Sequence, residues 1–366
     1  MKSRKLTCIT AMPLFAALAT PTRLAAQEQQ EQAPTFTVLH AFKGLSSGRN
    51  PTASLVRDNA GNLYGTTSAG GNLACGGNGF GCGLVFKLDA MGKETVLHRF
   101  TGGADGAFPP AGLVRDAAGN LYGTTEAGGT HGDGTVFKLG TTGKETVLHS
   151  FTGGADGRDP KAGLVRDNGA NLYGTTYTAG DLACGGGFGC GVVFKLDTTG
   201  GEAVLYSFTG GADGTAPAAG LLRDAAGNLY GTTYAGGDLG CTPVGGGSGC
   251  GVVFKLDTTG KETVLHRFTG GVDGADPEVG LVRDSAGNLY GTTSAGGNLA
   301  CGCGVVFKLD TTGKETVLHR FTGGADGAYP EAGLVRDAAG NLYGTTYAGG
   351  DLACGGGCGV VFKLTP

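Results

Sequence analysis

Ten cysteines in five close pairs carry the most chemistry in this sequence: Cys75/Cys82, Cys184/Cys190, Cys241/Cys250, Cys301/Cys303 and Cys354/Cys358. Two chemistries suit such pairs, a zinc site or a disulfide. Zinc ligands favour tight, reproducible spacing, typically two to four residues between paired cysteines. Here the gaps are 6, 5, 8, 1 and 3 residues, and an odd number of pairs does not fill four-cysteine sites. One equivalent stretch, residues 128–134, lacks both cysteines at once. Residues lost together are partners. The expectation is five disulfides, each within one loop, and no metal or cofactor. Such bonds form in an oxidising compartment. Cys301/Cys303 encloses a single residue, and so small a ring is expected to be reduced first.

Three further sets of residues have chemical potential. Asp105, Asp156, Asp213, Asp273 and Asp326 recur in "GGADG" or "GGVDG" connectors. A ring of carboxylates suits cation or ligand binding, but each connector lacks the spaced oxygens of a calcium loop, and Asp-Gly is ordinary turn chemistry. His40, His98, His149, His266 and His319 recur in "VLH", with Tyr206 in the remaining copy. A histidine that tyrosine replaces is expected to pack or hydrogen-bond, not catalyse. The arginines of "VRD" or "LRD" are six-fold too and suit ion pairs between units. One pair breaks the pattern: His131 and Asp133, in the cysteine-free stretch "TEAGGTHGDGTVF". They are candidates for binding or acid–base work, against the plainer reading of a polar turn. No Ser-His-Asp set or carboxylate pair stands out, and the glycine runs precede no helix that could make them phosphate loops. No catalytic residue is therefore assigned.

The elements that hold these residues repeat. "NLYGTT" begins at Asn62, Asn120, Asn171, Asn228, Asn288 and Asn341, at intervals of 51 to 60 residues. Each unit reads as four short strands: "GLVRD", "NLYGTT", "GVVFKL" and "ETVLHRF". They are rich in β-branched and aromatic residues and joined by "AAG", a variable glycine-rich loop and "DTTGK", so neighbours run antiparallel. A repeated four-stranded meander of this length is a propeller blade. The expected fold is all-β, a six-bladed β-propeller. A lone fourth strand at residues 36–42 would complete the last blade beside residues 360–364, closing the ring and covering its edges. In this arrangement the cysteine loops and the "GGADG" connectors share one face, where a ligand is expected to dock.

Glycine makes up 76 of the 366 residues, about three times the usual share of roughly 7%, and it falls between apolar runs as turns require. Residues 1–26 carry Lys2, Arg4 and Lys5 before an apolar run and read as an export leader. Residues 27–35 are a polar lead-in, and the propeller spans 36–366. The chain has 27 Lys and Arg against 31 Asp and Glu, a formal charge of −4. Loss of the leader removes Lys2, Arg4, Lys5 and Arg23 and no acid. That balance opposes nucleic-acid binding, and no second apolar run has membrane length. The expectation is a secreted or periplasmic monomer.

"GNLYGTT", "GVVFKL", "VLHRF" and "DGAxPxAGL" together resemble the GloVer tandem repeat of bacterial choice-of-anchor tandem repeat GloVer-containing proteins. The resemblance covers nearly the whole chain after the leader and implies an exported repeat protein, with no established activity. Many relatives carry an anchoring tail, from which "VVFKLTP" departs. "AGLVRDAAGNLYGTT" is also similar to the "GIAVDxxGNLYVAD" phrase of NHL-type propellers. The functional expectation is a binding or scaffold module for a glycan or protein. The alternatives are a propeller enzyme, a carbohydrate lyase or hydrolase with its site at the channel mouth, and a purely structural envelope protein.

Overall fold

Each copy of "VRDAAGNLY" folds into a hairpin because its aspartate has three partners within reach. In the second copy Asp116 accepts the backbone N–H of Asn120 at 2.8 Å, the Asn120 amide at 2.8 Å and the Tyr122 hydroxyl at 3.0 Å. The same cluster forms at Asp58, Asp167, Asp224, Asp284 and Asp337. These bonds favour the ionised form and hold Asp58 and Asp337 down at about 2. Among the described residues the "VRD" arginines make no close salt bridge with this aspartate, although the charge of Arg166, Arg223 and Arg283 reaches Asp116, Asp167 and Asp224 of the preceding unit. Arg115, Arg223 and Arg283 instead lie over Tyr64, Tyr173 and Tyr230 of the preceding unit, 5.7 to 5.8 Å from the ring centres. The planar guanidinium stacks on the aromatic face while the aspartate stays with its own turn.

The computed structural model describes residues 37–75, 79–241, 248–298, 300–351 and 357–366. They form a six-bladed β-propeller. The second blade runs Val114–Arg115, Leu121–Thr125, Thr135–Leu139 and Glu145–Ser150, all antiparallel neighbours in that order. Blades one, three, four and five repeat it, and the sixth sheet contains Val335–Arg336, Leu342–Thr345 and Val361–Leu364. Between the third and fourth strands the register shifts once in each four-stranded blade, as at Val136/Phe137. Such a bulge increases the local twist.

The core lies between blades. Phe151, at the end of one blade's fourth strand, meets Phe194 of the next blade's third strand edge-on at 5.2 Å, and both are fully buried. Phe100/Phe137, Phe208/Phe254 and Phe268/Phe307 repeat the contact at 5.2 Å. The glycine of "NLYGTT" makes room for the ring: a Cβ at Gly123 would sit 2.7 Å from Phe137 Cζ.

Phe42 makes the same contact on Phe86, at 5.0 Å, and His40 lies 3.4 Å from Glu94. The lead segment thus places its phenylalanine as a fourth strand would. The expected ladder with residues 360–364 is not among the pairings of the described residues. Val361 is 82% exposed, and its strand borders a groove lined also by Val306, His319 and Phe321. Among the described residues, no helix is long and apolar enough to cross a membrane.

Candidate functional site

Four cysteine pairs are bonded within their own loops: Cys75–Cys82, Cys184–Cys190, Cys241–Cys250 and Cys301–Cys303. Cys358 is disulfide-bonded too, and Cys354 lies outside the described residues. The bonds press on the connector to the next blade. Gly210 has φ +76°, and a Cβ there would lie 2.4 Å from Cys184 Sγ. Loop and connector are also joined by backbone, with Gly180 N–H donating to Gly154 at 2.9 Å and Gly237 to Gly211 at 2.9 Å. The cysteine loops and the "GGADG" connectors therefore lie together on one face.

In the second blade Asp133 stands where the second cysteine stands elsewhere. A Cβ at Gly153 would lie 2.8 Å from its Oδ2, as the other connector glycines meet sulfur. Its Oδ1 lies 3.9 Å from Arg158 Nε. His131 Nδ1 lies 2.9 Å from the Thr130 hydroxyl, which donates to Ser150 at 3.0 Å. Among the described residues no hydrogen bond or ion pair joins His131 to Asp133. The polar set holds the loop in the place of the missing disulfide.

The connector aspartates are occupied by their own turns. Asp156 accepts Thr152 N–H at 2.9 Å and the Thr152 hydroxyl at 2.5 Å, and lies 3.1 Å from His149 Nε2. Asp105 and Asp326 do the same with His98 and His319. Asp273 lies 3.5 Å from His266. At Asp213 the Tyr206 hydroxyl donates instead, at 3.0 Å. This accounts for the exchange of histidine for tyrosine: each places one donor over the same carboxylate. Among the described residues no group of three His, Cys, Asp or Glu side chains could hold a metal ion.

The side chains that differ from blade to blade lie elsewhere on this face. Each connector ends in a proline, and the residue before it has a left-handed backbone: Asn50, Phe108, Asp159, Ala216, Asp276 and Tyr329, with φ from 55° to 58°. Non-glycine residues adopt this conformation at a cost of roughly 1 kcal/mol or more, and two backbone bonds hold it. The N–H of Ala216 donates to Cys190 at 3.0 Å, and its carbonyl accepts Tyr234 N–H at 3.1 Å. Asp276 repeats this with Cys250 at 3.1 Å and Ser294 at 3.1 Å. The backbone is six-fold; the side chains are not. The residue after "GTT" is Ser68, Glu126, Tyr177, Tyr234, Ser294 or Tyr347, and the one after the proline is Thr52, Pro110, Lys161, Ala218, Glu278 or Glu331.

These positions converge. Lys161 Nζ lies 3.9 Å from the centre of the Tyr177 ring and 3.7 Å from Glu126 Oε1. Ser294 donates to Glu278 Oε1 at 3.3 Å. Burial raises Glu278, helped by the charge of Glu331 and opposed by the Ser294 bond and Lys161. Burial raises Tyr177 and Tyr234, and Glu278 adds to both. Asp276 is 4% exposed and is pushed up to about 7 by burial, then by Glu278. Contacts and charge interactions thus link residues of blades two to six on the face of the connectors.

The sequence reading did not single out Glu126, Lys161, Tyr177, Tyr234, Asp276, Glu278 or Glu331. Their signal was present: they fill the variable places of "DGAxPxAGL" and the place after "GTT". Superposing the six copies and asking which positions differ at constant spacing finds them.

A family model described as the Gloeobacter/Verrucomicrobia repeat matches residues 28–188 and 183–357. No curated protein matches the chain in sequence. Among solved structures, a luciferin-regenerating enzyme is similar at TM-score 0.51 with 14% identity, over 87% of this chain and 92% of that one. The extracellular domain of a proposed one-component system from B. thetaiotaomicron is similar at TM-score 0.51 and 10% identity, over 84% of this chain and 33% of that one. A gluconolactonase from Xanthomonas campestris gives TM-score 0.44 and 15% identity, over 84% and 83%. At these identities the likeness is one of fold.

Proposed function

The chain belongs to the Gloeobacter/Verrucomicrobia repeat family, and we propose that it is an exported propeller that binds a ligand at the mouth of its channel. The observation that carries this reading is the contrast between a six-fold backbone and side chains that do not repeat. Strand, turn and disulfide positions are near copies from blade to blade. Among the positions that vary are three at the connector end of each blade, which we assign to the mouth. A purely structural repeat has no need of that asymmetry, nor of left-handed residues such as Asp276 and Tyr329 held there. Loops on a rigid scaffold are where binding residues concentrate. The leader-like pattern of residues 1–26 and the disulfides support a place in the periplasm or outside the cell.

One observation favours catalysis as a second reading. Asp276 is pushed up to about 7 by burial, the condition of a general acid near neutral pH, and burial raises Glu278 beside it. Action on a carbohydrate at this mouth would need both.

The test is a glycan and peptide array probed with the purified protein and with two variants. One is Tyr234→Ala/Glu278→Gln at the mouth; the other is Lys93→Glu/Lys144→Glu/Lys261→Glu on the turns between third and fourth strands. Binding lost in the first and kept in the second is the expected result. Binding that survives the mouth variant and fails in the lysine variant places the site on the wrong face and overturns the reading.

A further inference from the structure

Blades three and five place an aspartate at the same left-handed position, yet only one is satisfied. Asp159 Oδ2 accepts the Thr178 hydroxyl at 3.0 Å and lies 3.5 Å from Arg158 Nε. In blade five the residues equivalent to Arg158 and Thr178 are Ala275 and Ala295, since Arg158 bridges Thr178 as Ala275 bridges Ala295. Asp276 therefore has neither partner. Its side chain is more than nine-tenths buried, and its Oδ1 has no hydrogen-bond partner. A buried carboxyl left without a partner costs free energy unless something supplies one.

The surroundings say what that something is. Asp276 acts on Tyr234 and feels Glu278, and Glu278 feels Glu331. Asp276 and Glu278 stand two residues apart, Ser294 donates to Glu278 at 3.3 Å, and the charge of Glu331 reaches Glu278. Nearby, the Lys161 ammonium, whose charge also reaches Glu278, lies on the Tyr177 face with Glu126 beside it. An aromatic face and a carboxylate together stabilise an ammonium group. Tyr347 and Tyr329 offer further exposed aromatic surface, 71% and 39% exposed.

We infer that the mouth binds an organic cation, a ligand carrying a primary ammonium group, held by Asp276, Glu278 and Glu331 with Tyr234 as the aromatic wall. The inference rests on the binding reading above and names the ligand class of that same site. An ammonium group supplies the hydrogen-bond donor that Asp276 Oδ1 lacks and offsets the repulsion of Asp276 by Glu278 and of Glu278 by Glu331. A free polyamine and a lysine side chain of a peptide carry the same group.

Calorimetric titration of the whole protein tests it with four probes: spermidine, N-acetyl-lysine amide, the uncharged N-acetyl-norleucine amide, and glucose. The ammonium probes are expected to bind at least tenfold more tightly than norleucine amide and glucose, and to weaken as salt rises. Spermidine against lysine amide distinguishes a free amine from a peptide. Glu278→Gln and Asp276→Asn are expected to weaken the ammonium probes tenfold or more. Glu145→Gln, a carboxyl of the outer strand, is expected to leave them unchanged, and thermal melts show which variants keep the fold. Equal binding of charged and uncharged probes, or no binding of the ammonium probes, overturns the inference. If array ligands still need Tyr234 and Glu278 in that case, the mouth remains the site and the cation is wrong. If they do not, both readings fall.

Discussion

The backbone carbonyl of Asp133 accepts the N–H of Asp159 at 3.1 Å, the bond that Cys190 makes to Ala216 one blade later. An aspartate has taken over a cysteine's place without disturbing the connector, because the connector reads the backbone there and not the side chain. Neither disulfide nor ion pair creates the loop; each braces it.

The braces differ in strength. The Asp133–Arg158 pair is long and part-exposed, with side chains 20% and 33% accessible. Such pairs are worth about 0.5 kcal/mol. Asp133→Ala is expected to shift the denaturant midpoint little. Cys184→Ser/Cys190→Ser removes a closed loop and is expected to cost about 2 kcal/mol. Urea unfolding of both variants checks the order. A larger loss in Asp133→Ala than in the double serine variant counts against this account.

Five intra-loop disulfides are expected by non-reducing peptide mapping, with Cys354 joined to Cys358. Under graded thiol, Cys301–Cys303 should open first. It encloses a single residue, and Cys301 is partly exposed whereas Cys75, Cys190 and Cys250 are buried. A link between different blades would refute the pairing scheme.

Stability should fall as pH rises from about 4.5 to 7. Glu145, Glu202 and Glu262 start equivalent fourth strands, and each is pushed up to about 7, first by burial and then by Asp105, Asp156 or Asp213. Each has an Oε1 that is buried without a partner. Their folded pKa is raised, so below the ordinary value of 4.5 the folded and unfolded chains are both protonated and the contribution is complete. Between 4.5 and 7 the folded chain binds more protons, and the contribution is lost with rising pH. Asp58 and Asp337 act oppositely, adding stability that disappears below their ordinary value of 3.8. Thermal melts across pH 3 to 8 should peak near pH 4 to 5, and Glu→Gln at positions 145, 202 and 262 should flatten the upper limb. An unchanged limb in that triple variant refutes the assignment.

Phe42 covers Phe86, which is 1% exposed. Phe42→Ala is expected to cost about 3 kcal/mol. Deleting residues 27–43 would bare that interface beside the open Val361–Leu364 edge and should cause aggregation. Size-exclusion chromatography and melting of the truncated protein check this. A monomer that melts as before would show that the segment does not complete the ring.

The all-β class, the six units, the four strands of five of them and the partners of four cysteine pairs were legible in the sequence. These follow from local rules: period-two alternation, turn residues at fixed places and the joint loss of two cysteines. The link between Lys161, Tyr177 and Glu278 was not. Lys161 lies 16 residues before Tyr177, and Glu278 is more than 100 residues from both, so no local pattern relates them. Three features drew the eye instead. The connector aspartates proved to be held by threonine and histidine of their own turns. His131 and Asp133 proved to be separately bonded. The "VRD" arginines stack on a neighbouring blade's tyrosine, which no single repeat contains.

Sequence by itself determined what each blade is, because a blade's hydrogen bonds and turns are made within some fifty residues. Tertiary structure alone decided which side chains meet. Closing six near-identical units around an axis brings the same position of each unit to one place, and charge and burial there depend on all the units at once. Asp276 and Asp159 are the same residue in the same backbone. One is paired and the other is not, because the neighbours that the fold supplies are Ala275 and Ala295 in one case and Arg158 and Thr178 in the other.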